Sequence, residues 1–190
     1  MTTDATPSPS ETVHLVCGFD EGYARPAGIM LRSVARNLRP GASCIAHLVG
    51  VDLSSTSRSR LESCGTDQLE IRFADFDESW IDNLPKSRPN EPHLNKMVYV
   101  SLMTDRFLPP EVSRYVKLDA DMVVRASLDE IASVDLEGKI LGGMQDFYIP
   151  TVAAPEGVEL WRDLGLDGRG PYFNGGMLVV DRFAWRDFEV

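Results

Sequence analysis

The sequence predicts an α/β domain built on a mostly parallel sheet, and three observations carry that prediction. Short apolar runs alternate with segments whose apolar residues recur at helical spacing, which is the element order of a parallel sheet. One run, Cys44-Ile-Ala-His-Leu-Val-Gly-Val51, is nearly continuous in apolar residues, as befits a strand covered on both faces. Polar clusters follow the apolar runs directly, at Gly18 to Tyr23, at Asp119 to Asp121 and at Asp146. In α/β sheets that is where ligands sit, beyond the carboxyl ends of the strands.

Taken in order, Met1 to Thr12 is polar and Ser/Thr/Pro-rich, so a disordered tail is expected ahead of one domain over 13–190. Val13 to Cys17 reads as the first strand. From Ala24 to Leu38, Ile29, Leu31, Val34, Ala35 and Leu38 recur at helical spacing, and Arg39-Pro-Gly41 ends the helix. The continuous run Cys44 to Val51 is the second strand. A surface helix over Ser54 to Cys64 and an alternating third strand, Leu69 to Phe73, follow. Asp75 to Pro92 is acidic and Pro-rich, so it is expected to be loop with a helical turn near Trp80. Pro92 to Phe107 carries a helical period, with Asn95, Lys96 and Tyr99 on or beside one edge, and Pro109-Pro110 stops it. A short helix (Leu128 to Ser133), a strand (Ile140 to Met144), a helical turn near Val158 to Leu164 and a buried strand within Tyr172 to Asp181 complete the chain.

The stretch Tyr115-Val-Lys-Leu-Asp119-Ala-Asp121-Met-Val-Val124 organises the rest. Read as extended chain, Val116, Leu118 and Ala120 share one face while Lys117, Asp119 and Asp121 share the other. Two carboxylates one residue apart repel each other and lose hydration at a strand end, and a divalent cation relieves both costs. Oxygen ligands of this kind suit Mg2+ or Mn2+, usually shared with substrate phosphates. A bare Asp-x-Asp can equally be a solvated turn; several carboxylates converging on one sheet edge favour the metal.

The balance of charges narrows the partners. With 29 Asp and Glu against 19 Lys and Arg, the net charge is −10, which argues against nucleic acid and against an anionic membrane surface. A phosphorylated ligand would then need a metal or a local cation. Cys17, Cys44 and Cys64 are odd in number and lack C-x-x-C spacing, and Cys17 and Cys44 lie within apolar runs, so these two read as small core residues of a reduced, cytoplasmic protein. No run approaches a membrane span, and the N-terminus lacks a signal-peptide pattern.

Five ordered stretches then carry a resemblance: Phe19-Asp-Glu-Gly-Tyr-Ala24, Lys96-Met-Val-Tyr-Val-Ser-Leu102, Leu118-Asp-Ala-Asp-Met-Val-Val124, Gly142-Gly-Met-Gln-Asp146 and Tyr172-Phe-Asn-Gly-Gly-Met-Leu-Val-Val-Asp181. From about Val13 to the last residue the chain resembles glycosyltransferase family 8, which includes glycogenin and bacterial lipopolysaccharide galactosyltransferases. The resemblance implies a GT-A fold, a UDP-sugar donor such as UDP-glucose or UDP-galactose, Mn2+ or Mg2+, and retention of anomeric configuration. It implies that Tyr23 stacks on the uracil, that Asp20 bonds the base, and that Gly18 and Phe19 line the same wall. Lys96 would lie near the diphosphate and donor sugar. Asp119 and Asp121 would hold the metal, with the Ala120 backbone at the ribose, and Asp146 and a buried Asn174 would hold the sugar hydroxyls. The acceptor, whether carbohydrate, lipid or protein, stays open.

The family pattern continues past Asp181 with a metal-binding His and a diphosphate-binding Lys, and His14, His47 and His93 match neither position. A C-terminally incomplete domain is therefore expected, with Phe183, Trp185 and Phe188 exposed and able to drive self-association. A catalytically inactive UDP-sugar-binding remnant is the main alternative. Asp119-Ala-Asp-Met-Val123 also fits the start of haloacid-dehalogenase-type phosphatases. There, however, the motif follows the first strand and an acidic pair follows downstream; here three strands precede it. A nucleotidyltransferase of similar topology is a further alternative.

Overall fold

The computed structural model describes residues 12–81, 83–84 and 96–188. Six strands form one sheet: β1 (Val13–Asp20), β2 (Cys44–Val51), β3 (Leu69–Phe73), β4 (Arg114–Leu118), β5 (Leu141–Gln145) and β6 (Phe173–Asp181). Their order is β3-β2-β1-β4-β6-β5. The first four are mutually parallel, whereas β6 runs antiparallel to both β4 and β5. Since β5 is thereby parallel to the first four, one sheet edge collects the C-terminal ends of β1, β4 and β5 and the N-terminal end of β6. The reversed strand thus brings the Asn174 region to the edge that carries Asp119 and Asp146.

Alternation along β1 separates two apolar layers. Leu15, Cys17 and Phe19 face α1 (Ala24–Asn37), which buries Ala24, Ala27, Met30, Leu31 and Val34 along one stripe. Val16 faces the other way, into a smaller cluster with Leu108, Val112, Tyr115 and Val180. Each such fully buried side chain contributes ~1.5–3 kcal/mol. Two polar devices sit in the smaller layer. Thr104 and Tyr115 share a buried 2.9 Å hydroxyl bond. The buried Arg182 guanidinium donates to the carbonyls of Leu108, Pro109 and Val112.

The surface helix α2 (Ser55–Glu62) begins where Ser54 Oγ accepts from Ser57 N at 3.1 Å, and it buries only Leu61. A 3-10 turn spans Lys96–Leu102, followed by the one-turn α3 (Thr104–Phe107). The helix expected over Pro92 to Phe107 is therefore two pieces, broken at Met103 (φ −105, ψ 11), and Pro92 to Asn95 lie outside the described residues. So do Met1 to Glu11 and His93. A 3-10 turn at Glu78–Ile81 matches the turn expected near Trp80. After β4 come α4 (Leu128–Ala132) and, at the end, α5 (Arg182–Arg186), capped by Asp181 accepting from Ala184 N at 2.9 Å.

The helical turn expected near Val158 to Leu164 appears as hydrogen-bonded turns, with Trp161 N donating to Val158 O at 3.1 Å and Leu164 N to Leu160 O at 3.0 Å, and it ends at Gly165 with a φ of +68. Two expectations are corrected. Strand β4 stops at Leu118, so Asp119 and Asp121 belong to the following turn. Finally, Trp185 packs against the smaller apolar layer, leaving Phe183 exposed on α5 and Phe188 exposed just past its end. No described helix is long and apolar enough to cross a membrane. Cys17, Cys44 and Cys64 are buried free thiols.

Candidate functional site

The turn after β4 is built by its middle residue. Ala120 is buried in the core, and Met122 N donates to Asp119 O at 3.3 Å, closing the turn. Asp119 N donates to Gly176 O at 2.8 Å, which carries the pairing with β6 one step past the strand. The carboxylates of Asp119 and Asp121 are left exposed at the edge. Strand alternation was expected to aim them outward; the buried Ala120 between them does so instead.

Lys117, on the β4 face opposite Leu118, reaches up to this turn. Its ammonium pairs with the Asp119 carboxylate and donates to Gly175 O at 2.7 Å. It ties the end of β4 to the start of β6 and occupies one Asp119 oxygen. Cys17, on the neighbouring strand β1, is buried on the α1 face of the sheet. Burial pushes its thiol up to about 12; the Asp119 and Asp121 charges push the same way, and Lys117 opposes them. The sequence put Lys117 on the face of the two acids, and that was the available signal for a residue given no role.

On the neighbouring strands a second cluster forms. Asp146 Oδ1 accepts from Ile149 N at 2.9 Å and Tyr148 N at 2.8 Å, and its Oδ2 accepts from Asn174 Nδ2 at 3.1 Å. Bonds from the Ile149 backbone, the Asn174 amide and the Tyr148 backbone hold the Asp146 carboxyl below its ordinary range. Asn174 Oδ1 in turn accepts from Gly176 N at 2.8 Å. Gly176 joins the clusters: a Cβ there would lie 2.8 Å from Asn174 Oδ1 and 3.0 Å from Asp119 Oδ2. Asn174 is exposed, not buried as expected, which leaves its amide accessible.

At the end of β1, Asp20 caps a 3-10 turn by accepting from Tyr23 N at 3.3 Å, and the Tyr23 ring stands 41% exposed. That exposure leaves a ring face for stacking. The Phe19 side chain is buried in the core, so a wall it lines would be lined by its backbone. Gly18 has a packing reason, since a Cβ would strike Val100 at 2.9 Å. Its bare backbone lets the Lys96–Leu102 turn lie against β1. Lys96 opens that turn; its side chain lies outside the described residues.

The donor set can be tested against a divalent cation. Asp119 and Asp121 offer hard carboxylate oxygens, and among the described residues no three His, Cys, Asp or Glu side chains group as a closed metal cage. Mg2+ and similar ions are commonly held by one or two carboxylates with substrate phosphates and water completing the shell. Two edge carboxylates fit that pattern, with Asp119 first parting from Lys117.

Comparison with known proteins identifies a family and a fold. The family described as "Glycosyl transferase family 8" matches residues 14–190. The chain is 23% identical over 180 residues to "Probable galacturonosyltransferase-like 10" of Arabidopsis thaliana, covering 92% of this chain and 49% of that one. It is 23% identical to "General stress protein A" of Bacillus subtilis (strain 168), covering 93% and 58%. Among solved structures, the galactosyltransferase LgtC in complex with donor and acceptor sugar analogs superposes with a TM-score of 0.76 at 23% identity, covering 93% of this chain and 60% of that one. Mouse xyloside xylosyltransferase 1 in its apo form gives 0.65 at 15%, covering 93% and 69%. The fold is that of the GT-A glycosyltransferases. The chain spans about half the length of the curated relatives it matches.

Proposed function

The chain belongs to glycosyltransferase family 8, and on that premise we propose that it transfers a hexose from a UDP-sugar to a carbohydrate, lipid or protein acceptor, with a divalent cation and with retention of configuration. The observation that supports this reading most is the convergence of Asp119, Asp121, the Asp146–Asn174 pair and the Asp20–Tyr23 turn on one sheet edge.

Each residue has work its chemistry suits. The exposed Tyr23 ring stacks on the uracil, and Asp20 accepts from the base while capping the turn that holds Tyr23. The Ala120 backbone borders the ribose. Asp119 and Asp121 hold Mn2+ or Mg2+; when bound, the cation supplies Lewis-acid stabilisation of the charge that develops on the departing diphosphate. Lys96, at the start of its 3-10 turn, adds a cation for the same diphosphate in an otherwise acidic chain. Asp146, kept anionic by its three donors, accepts from sugar hydroxyls, and Asn174 can both donate to them and accept from them. Lys117 orients the Asp119 carboxylate from below.

The direct test is hydrolysis of UDP-glucose and UDP-galactose, followed as UDP release with Mn2+ and with EDTA. Metal-dependent release that disappears in Asp121→Asn supports transfer chemistry at this edge. UDP binding without release would point to a nucleotide-sugar-binding domain lacking turnover.

A further inference from the structure

A cleft lies on the helical side of the sheet, between α1 and α2, with a volume of about 660 Å3. That size suits a small organic ligand. Arg25, Arg32 and Arg36 of α1 enter its lining at i, i+7 and i+11, the spacing that keeps them on one helix face over roughly 16 Å. Arg60 of α2 lines it as well, while Ile29, Leu61 and Val123 supply apolar surface.

The composition of this lining is unlike that of the chain. Of 29 Asp and Glu residues none lines the cleft, whereas four of the 19 Lys and Arg do. Several cations elsewhere are paired, Arg39 with Asp129, Arg58 with Glu62 and Arg72 with Glu70, although Arg125 and Lys139 have no such pair among the described residues. The side chains of Arg25, Arg32, Arg36 and Arg60 make no ion pair or hydrogen bond among the described residues. The acid nearest by bonding is Glu21, which accepts from Ser57 Oγ of the lining at 2.7 Å and from Ser54 N and Oγ at 2.9 and 3.1 Å. It is thus held by its own donors. Four guanidinium groups around a concave surface repel one another, and an anion carrying several charges removes that cost. Guanidinium forks match phosphate oxygens two at a time, and exposed apolar walls suit a ligand with a non-polar body.

We propose that the α1/α2 cleft is a binding site for a phosphate-bearing ligand, lined by none of the residues assigned to the donor although Arg25 and Val123 lie within two residues of Tyr23 and Asp121. The phosphate comes either from a free phosphorylated compound or from a lipid headgroup, and both present the same chemistry to the arginines.

The test uses the full chain, 15N-labelled, in EDTA so that no divalent cation recruits anions to Asp119 and Asp121. Sodium pyrophosphate is titrated while amide shifts are followed, and cosedimentation is measured with vesicles of phosphatidylglycerol and phosphatidylcholine against phosphatidylcholine alone. The expected result is saturable shifts at Gly28, Ile29 and Leu61, or sedimentation with the anionic vesicles only, weakened at least tenfold in the double variant Arg32→Gln/Arg60→Gln. Added NaCl should weaken it further. Shifts with pyrophosphate but no sedimentation assign a free phosphorylated ligand; sedimentation assigns a lipid headgroup. Absence of both responses, equal responses in the double variant, or shifts confined to Lys117 to Asp121 would overturn the proposal. Both arginines are exposed, so the variant keeps the fold, which an unchanged amide spectrum away from α1 and α2 verifies.

Discussion

Gly176→Ala is the most informative single substitution, because one added methyl group would meet both clusters of the sheet edge at once. The position is within β6 and its φ is not positive, so alanine is compatible with the backbone. The new Cβ would lie 2.8 Å from Asn174 Oδ1 and 3.0 Å from Asp119 Oδ2, where ordinary contact begins at 3.4 Å. Asn174 must then withdraw by about 0.6 Å, the shortfall in van der Waals separation. That movement breaks its 2.8 Å bond from Gly176 N and misaligns the 3.1 Å bond to Asp146. At ~1 kcal/mol per hydrogen bond, the distortion amounts to about 2 kcal/mol. If Asn174 and Asp119 serve the same donor, its affinity falls about thirtyfold. The assay is competition of UDP-galactose and of UDP against a fluorescent UDP analogue in Mn2+, with thermal unfolding in parallel. The sugar nucleotide should lose more than UDP, since Asn174 and Asp146 are assigned to the sugar. Unchanged affinities for both ligands would refute the shared site.

Further predictions follow from other parts of the molecule. Asp119→Asn and Asp121→Asn should each abolish metal-dependent UDP binding while shifting Tm by no more than a few degrees, both side chains being exposed; thermal unfolding with and without Mn2+ and UDP checks this. Arg182→Met should cost ~3–5 kcal/mol in denaturant unfolding, because it strands the buried carbonyls of Leu108, Pro109 and Val112. Burial pushes His47 down to about 4, helped by the charges of His14 and Arg72 and opposed by Glu70 and Glu111. Below an unfolded value near 6.5 the unfolded chain binds the proton first, so stability falls as pH drops from there towards 4. At pH 5 the loss is about 2 kcal/mol relative to pH 7, and His47→Gln should flatten that slope in chemical denaturation. Lys117→Met removes the cation seated on Asp119, so direct Mn2+ binding, followed by electron paramagnetic resonance without nucleotide, should tighten several-fold.

Much of this fold was legible because its signals are local. The continuous apolar run fixed β2 at Cys44–Val51, the alternating one fixed β3 at Leu69–Phe73, and helical spacing with Arg39-Pro-Gly41 bounded α1 to within a residue. The polarity of β6 was not legible, because an apolar run reads alike in either direction and the antiparallel pairing with β4 is a long-range property. The same limit hid the joining of Asn174 to Asp146 and of Gly175 to Lys117, which are 28 and 58 residues apart. Phe19 stands beside Asp20 in a motif, and alternation along β1 sends its ring into the core. The arginine cleft needed α1 and α2 side by side; in sequence Arg32 and Arg60 look like ordinary solvated helix residues.

The most direct test of the sheet-edge site is calorimetric titration of UDP into the purified chain, with Mn2+ and with EDTA. A nucleotide site built on Asp119 and Asp121 predicts heat of binding in Mn2+ alone, lost in Asp119→Ala. Binding of equal strength in EDTA, or binding in Mn2+ that survives Asp119→Ala, would contradict it.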